Sequence, residues 1–185
     1  MATRESVRPG GRSARVQQAV HTAVRELQAE RSREDLTIPV IAARAGVTPS
    51  TIYRRWGNLN DLLADVTLER FRPETAPEDT GALASDLLSW GEQYLDEMVS
   101  APGRQMLCEI MASADETRRQ RCFQYAREQI AQIHQRAVTR GETPPDVDTL
   151  MDFIIGPLIY RVLYDSDSAT PERLREWVSR ALGGV

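Results

Sequence analysis

The stretch "LTIPVIAARAGVTPSTIYRRWGNLNDLL", Leu36 to Leu63, decides how this chain is read. It holds two short helical patterns joined by a tight turn. Thr37 is placed to cap the first helix, and Pro39 is tolerated in its opening turn. That helix buries Val40, Ile41 and Ala45 and stops at Gly46, where glycine permits the positive φ of a sharp turn. Thr48 or Pro49 starts a second, very short helix that ends near Trp56 and Gly57. Val47 and Ile52 point back to a core, which leaves Pro49, Ser50, Thr51, Tyr53, Arg54 and Arg55 outside. Asn58, with Asp61 three residues on, resembles a capping box and opens a further helix bearing Leu62, Leu63 and Val66.

Helix, tight turn, short helix is the arrangement in which a second helix enters the major groove of DNA. Small residues at Ala42, Ala43 and Ala45 let the two helices pack closely. Ser and Thr hydroxyls at a helix start suit phosphate oxygens, a tyrosine hydroxyl donates to phosphate, and arginine forks onto guanine or a phosphate pair. An isolated Arg-Arg pair reads more simply as a solvated face; the glycine turn and the polar helix start tip the reading toward DNA. Charge placement points the same way. Residues 1–60 hold ten arginines against five acidic residues, a net of +5, so with -4 overall residues 61–185 carry -9. A basic first third on an acidic remainder points to a local polyanion contact, with chance asymmetry as the lesser alternative on charge alone.

Working outward, helical period dominates and strand signals are almost absent, so the chain is expected to be all-α with about nine helices. Val16, Val20, Ala23, Val24 and Leu27 share one face of a first helix, roughly Arg12 to Ala29. "RPETAPEDTG", 72–81, reads as a linker. Beyond it come stripes at Leu83 to Met98, Met106 to Met111 and Phe123 to Ala137, with "SAPG" at 100–103 as punctuation. "FIIGPLIY", 153–160, is apolar around its whole circumference, Gly156 allows a close helix approach, and Pro157 should kink the helix. Thr170 and Pro171 cap and open a last helix with Leu174, Trp177, Val178 and Leu182 on one face. The last two helices are candidates for a two-fold four-helix interface, through Phe153, Gly156, Tyr160, Leu174, Trp177 and Val178, with an ordinary monomer core as the other reading. Trp90, Tyr94, Met98, Met106, Met111 and Phe123 are the candidate lining of an apolar cavity; residues so spaced are more often simply core.

Composition excludes several classes. At 185 residues, 41% hydrophobic and 27% charged, the chain has an ordinary globular composition with enough length for one or two domains. No apolar run is long enough to span a membrane, and the first residues carry no secretory signal, so a cytoplasmic location is expected. Cys108 and Cys122, without a paired spacing, read as reduced core residues, and a disulfide framework or zinc site is not expected. His21 and His134 are lone histidines that read as surface residues. No nucleophile elbow, phosphate loop, dinucleotide fingerprint or metalloprotease motif is present, so no enzyme, cofactor or metal is expected. A helical protein-interaction module using the Tyr53–Trp56 face is the alternative to DNA binding; steep salt dependence separates the two.

The Leu36–Leu63 stretch resembles the DNA-binding segment of the tetracycline-repressor (TetR) family of bacterial transcription regulators. The family's usual run has "IA-x-x-AGV", a Ser/Thr-rich turn, "T-[LI]-Y-x-[HR]-[FW]", a polar turn and "LL". Here Ile41-Ala42, Ala45-Gly46-Val47, Thr51-Ile52-Tyr53, Arg55-Trp56 and Leu62-Leu63 fall in register, and the likeness covers about residues 12–71. The resemblance implies DNA contacts from Thr37, Thr48, Pro49, Ser50, Thr51, Tyr53, Arg54 and Arg55. It implies a helix-turn-helix domain over 1–57 with a basic N-terminal arm, a connecting helix over 58–71, and a helical ligand-binding and dimerisation domain over 72–185. The expected protein is a homodimeric repressor, released from a pseudo-palindromic double-stranded DNA operator by a small apolar or amphipathic effector. Where the family often places a phosphate-touching lysine, this chain has Leu59; Arg4, Arg8, Arg12 and Arg15 of the arm are candidates to compensate.

Overall fold

The computed structural model describes residues 11–183, with Arg12 described in its backbone alone. All regular structure among these residues is helical. The order is α1 (Gly11–Glu30), α2 (Ile38–Ala45), α3 (Pro49–Trp56), α4 (Leu59–Arg70), α5 (Leu83–Val99), α6 (Ala101–Ala112), α7 (Glu116–Thr139), α8 (Val147–Leu150), α9 (Gly156–Tyr164) and α10 (Pro171–Ala181). A π-helical turn at Met151–Ile155 joins α8 to α9 without a break. Counted as one rod, the pair leaves nine helices among the described residues, in line with the expected nine or so. The chain divides into two compact units, Met1–Thr67 and Leu68–Val185, so the division falls inside α4.

In the first unit the ends of α2 and the start of α4 follow from local chemistry. Thr37 adopts an extended backbone and its hydroxyl accepts from the Val40 amide. Gly46, at φ 67°, turns the chain, with its amide donating to the Ala43 carbonyl and the Val47 amide to Ala42. Asn58 caps α4 reciprocally: its side-chain oxygen accepts from the Asp61 amide at 2.9 Å and its side-chain nitrogen donates to the Asp61 carboxylate at 2.7 Å. The core is drawn from all four helices, with Val20, Val24 and Leu27 of α1, Ile38 and Ile41 of α2, Ile52 and Trp56 of α3, and Leu62, Leu63 and Val66 of α4. Leu59 packs against this core.

The second unit buries one stripe from each long helix: Leu87, Leu95 and Met98 of α5, Met106 and Ile110 of α6, and Ile130 and Ile133 of α7. The "SAPG" segment is not a loop. Ser100 caps α6, its hydroxyl accepting from the Gly103 amide at 3.0 Å, and Pro102 sits in the first turn where its missing N–H costs nothing. A Cβ on Gly103 would lie 2.0 Å from the Glu97 carbonyl oxygen, so only glycine lets α6 fold back so tightly on α5. Nor is 72–82 a slack linker. Arg136 donates to the Pro77 and Glu78 carbonyls at 2.7 Å each, and Arg140 binds Asp79 at 2.8 Å and Asp86 at 3.0 Å. At the start of α5, Ala82 has no side chain to cap with, and the Glu142 carboxylate accepts from the Leu83 amide instead.

Pro157 takes effect through the π-turn. It has no N–H for the Phe153 carbonyl, and its ring would strike that carbonyl in a regular helix. The Gly156 amide reaches back to Met151, widening the turn by one residue. The circumferentially apolar helix is only half buried: Ile154, Ile155, Leu158 and Val162 face the core, while Phe153, Gly156, Tyr160, Leu163 and Tyr164 are exposed. On α10 the expectation of an intermolecular face is corrected. Leu174, Trp177 and Val178 are buried in the chain's own core, where Leu174 sits against Gly91 of α5 and is spent before a second chain arrives.

Candidate functional site

On α3, Ile52 and Trp56 are buried, four residues apart on one face, and that spacing anchors the helix. Thr48, Pro49, Ser50, Tyr53, Arg54 and Arg55 are exposed, and Thr51 partly so. The Thr48 hydroxyl does not cap the helix; it lies 2.9 Å from both the Ser50 and Thr51 hydroxyls. Three hydroxyls therefore converge at the positive end of α3, where the helix dipole favours phosphate. Thr37, at the start of α2, is exposed as well, but its hydroxyl is engaged as a cap.

The two arginines differ. Arg54 makes no hydrogen bond or ion pair among the described residues. Arg55 is turned onto α1: it donates to the Ser13 carbonyl at 3.2 Å, to the Ser13 hydroxyl at 2.7 Å and to the Gln17 side-chain oxygen, and its guanidinium lies 5.2 Å from the centre of the Trp56 ring. Arg15, exposed on α1, is the member of the basic arm whose side chain is described; Arg4, Arg8 and the Arg12 side chain lie outside the described residues.

Beneath α3 lies a cluster that sequence reading missed. Asp65 of α4 accepts from the Trp56 indole N–H at 2.8 Å, and the same carboxylate oxygen lies 3.0 Å from the His21 ring nitrogen of α1. His21 is thus buried, only 4% exposed, and not a surface residue. One carboxylate ties three helices at the C-terminal end of the recognition helix. The signal was present, since His21 falls one position past Val20 on the buried face of α1, but its partner is 44 residues away. A second tie, Arg44 of α2 to Glu26 and Glu30 of α1, holds the Glu30 carboxyl below its ordinary range through the Arg44 hydrogen bond.

The second unit contains a cavity of about 260 Å³. Trp90, Tyr94, Met98 and Met106 line it, joined by Cys122, Tyr125, Ala126 and Gln129 of α7 and by the 70–77 segment. Two expected lining residues do not. Met111 is 62% exposed and Phe123 49% exposed, and neither borders this space. The inward stripe at the start of α7 runs through Cys122, Tyr125, Ala126 and Gln129, and Phe123 is rotated about 100° from Cys122. Met111 likewise follows Ile110, the last buried residue of α6. Cys122, expected in the core, is a half-buried wall of the cavity, and burial pushes its thiol pKa up; Cys108 is exposed on α6, contrary to expectation. Among the described residues no three His, Cys, Asp or Glu are grouped to hold a metal, and no helix is long and apolar enough to cross a membrane.

Each of the two units contains a segment that matches a known protein family. Residues 22–66 match the family of bacterial regulatory proteins, tetR family, and residues 77–181 match the tetracyclin repressor-like C-terminal domain. The HTH-type transcriptional regulator YdeS of Bacillus subtilis is 27% identical over 90% of this chain and 88% of its own length. The regulator Mb1581 of Mycobacterium bovis is 28% identical over 92% and 87%. The crystal structure of the TetR family transcription regulator SCO0332 superposes with a TM-score of 0.71 and 26% identity, covering 92% of this chain and 98% of that one. The chain belongs to the TetR family and is a helix-turn-helix transcriptional regulator.

Proposed function

We propose that the chain is a homodimeric repressor whose α3 helices read two half-sites of a pseudo-palindromic operator, and which an effector in the second-unit cavity releases. The observation that carries the DNA reading is the division of α3: Ile52 and Trp56 are locked into the core while Thr48, Ser50, Thr51, Tyr53 and Arg54 are left to solvent. The hydroxyl cluster and Tyr53 position phosphate, and Arg54 is free to fork onto a base edge or a phosphate. Arg55 plays a double part, bracing the start of α1 from the same surface. Leu59, packed on the core, takes no part in phosphate contact.

Dimerisation is assigned to the exposed face of the α8–α9 rod. Phe153, Gly156, Tyr160, Leu163 and Tyr164 fall at helical spacing on it, with Tyr160 61% and Tyr164 75% exposed. The Tyr160 and Tyr164 rings lie 5.0 Å apart, and Gly156 between the aromatics gives a second helix room to approach. Release by an effector requires that the ligand bind one arrangement of the dimer better than the other.

The test is selection of random duplex DNA by the purified protein, followed by binding of the enriched site across a salt series. The expected result is a palindrome with half-site centres about one helical turn or a multiple apart, and an affinity that falls steeply with salt. No enrichment, with weak binding even at low salt, would assign the α3 face to a protein partner.

A further inference from the structure

The lining of the second-unit cavity has a distinct chemical character. Its charged residues, Arg70, Arg72, Glu74 and Glu97, are exposed as whole residues and cancel two against two, and partial burial of the Glu97 carboxyl raises its pKa. The buried lining is neutral: Leu68, Trp90, Met98, Met106, Ala126 and Gln129. Trp90 and Tyr94 are stacked, ring centres 4.9 Å apart and planes 16° from parallel, and give the cavity a flat aromatic wall. Gln129 is only 8% exposed, yet its carboxamide makes no hydrogen bond among the described residues. The Tyr94 hydroxyl is also without a partner among them. The Gln129 carboxamide atoms are not among the fully buried unpaired polar atoms, so they reach the water of this space, and a ligand edge that pairs with them replaces that water. Here one donor-and-acceptor group is left in a lined space beside a flat wall.

We propose, resting on the reading of this cavity as the effector site, that it takes a small neutral molecule with one or two flat rings and an edge carrying a hydrogen-bond donor beside an acceptor, the ring against Trp90 and Tyr94 and the edge on the Gln129 carboxamide. A carboxamide presents N–H and C=O side by side, so its complement is a lactam, an amide or a hydroxyl next to a carbonyl. The cavity is just below the usual range for small-molecule sites of about 300–1,000 Å³, which limits the ligand to a compact ring system. Burial pushes the Tyr94 phenol pKa well up, so it stays protonated as a second donor. Met98 and Met106 adapt to the remaining apolar surface. A permanently charged ring would have to shed its hydration against a mostly neutral lining, where Glu97, its partly buried acid, is itself pushed toward the neutral form by burial.

The experiment is calorimetric titration of the full chain with four probes of similar size: isocarbostyril, a neutral bicyclic lactam; naphthalene; naphthoate; and N-methylquinolinium. The same probes are titrated into Gln129→Met and Tyr94→Phe, and DNA affinity for the selected site is read with each probe present. Isocarbostyril is expected to bind roughly tenfold tighter than naphthalene, the scale of one or two well-made hydrogen bonds. That advantage is expected to vanish in Gln129→Met and shrink in Tyr94→Phe, while naphthalene binds the three proteins alike. Tighter binding of naphthoate or N-methylquinolinium, or a lactam advantage that survives Gln129→Met, overturns the ligand class. If a charged probe binds and lowers DNA affinity, the effector reading stands and this inference falls. If no probe binds and DNA affinity never moves, both fall.

Discussion

Arg54 and Arg55 are neighbours on one short helix in different chemical situations, and their substitutions should separate. Arg54→Ala is expected to lower operator affinity by about 1–3 kcal/mol if it reads a base, or to reduce the salt slope by about one if it meets phosphate. Equilibrium binding across a salt series decides which, and unchanged affinity would remove Arg54 from the interface. Arg55→Ala has a further consequence, because Ser13 and Gln17 lose their partner. Hydrogen exchange should quicken in the first turns of α1 even without DNA; unaltered protection there would show that the brace is idle. Asp65→Ala strands the Trp56 indole N–H and the His21 ring together, and should destabilise the first unit by roughly 1–3 kcal/mol. Gly46 and the Asn58 cap were legible in sequence because each acts within a few residues of itself, whereas the burial of Trp56 was not, its indole N–H being met by Asp65 on the next helix. His21 was not, since what makes it structural is a carboxylate on another helix.

At the scale of elements, the bridge across 72–82 and the α5–α6 corner are the unforeseen parts. Both lie in segments rich in proline and small residues, which locally favour loops whether or not something distant holds them. The bridge is held from the end of α7, by Arg136 on two carbonyls and by Arg140, one residue past the helix, on Asp79 and Asp86, whereas the corner is held locally by the Ser100 cap and the close approach at Gly103. Asp86 is fully buried, and burial alone would raise its pKa. Hydrogen bonds from the Thr80 hydroxyl and amide and from Arg140 outweigh that and hold the carboxyl below its ordinary value. A carboxyl depressed in the folded state stabilises the fold above the unfolded pKa, near 3.9, and that contribution is lost as pH falls through the lower folded value. Denaturation midpoints should therefore drop below about pH 4 in the native chain and less steeply in Asp86→Asn. Asp86→Ala removes the acceptor of the Thr80 hydroxyl and amide, while Arg140 keeps Asp79 and Glu142, and should lower the thermal midpoint more than Asp86→Asn does. Gly103→Ala forces a methyl into the Glu97 carbonyl and should cost about 1–3 kcal/mol by thermal unfolding. An unchanged midpoint would mean that the corner opens freely.

For the whole molecule, the exposed face of the α8–α9 rod is where a second chain is expected. Tyr160→Asp places a charge on that face without touching the core, since Tyr160 is exposed and Leu158 and Val162 are not. Sedimentation should find monomers at concentrations where the unaltered chain is dimeric, with helix content unchanged, and operator binding should weaken because both half-sites are no longer held together. A dimer that persists would assign the interface to another surface. Tryptophan substitutions are not informative here: Trp56 and Trp177 are core residues, and losing either mixes stability with function.

The sequence by itself determined the all-helical class, the helix boundaries of the first unit and the solvent face of α3, because helical period, caps and glycine turns are properties of residues a few positions apart. It also pointed to the family through Ile41-Ala42, Ala45-Gly46-Val47 and Thr51-Ile52-Tyr53. Only the tertiary structure decided which apolar stripes were already spent. Leu174, Trp177 and Val178 look from sequence just as available to a partner as Phe153 and Tyr160, and Phe123 looks as ready for a cavity as Tyr94. A periodic pattern says that a helix has an apolar face; whether that face meets the chain's own core, a ligand or solvent depends on what other helices bring against it. Burial is a property of the assembled helices, and no single stretch of the chain contains it.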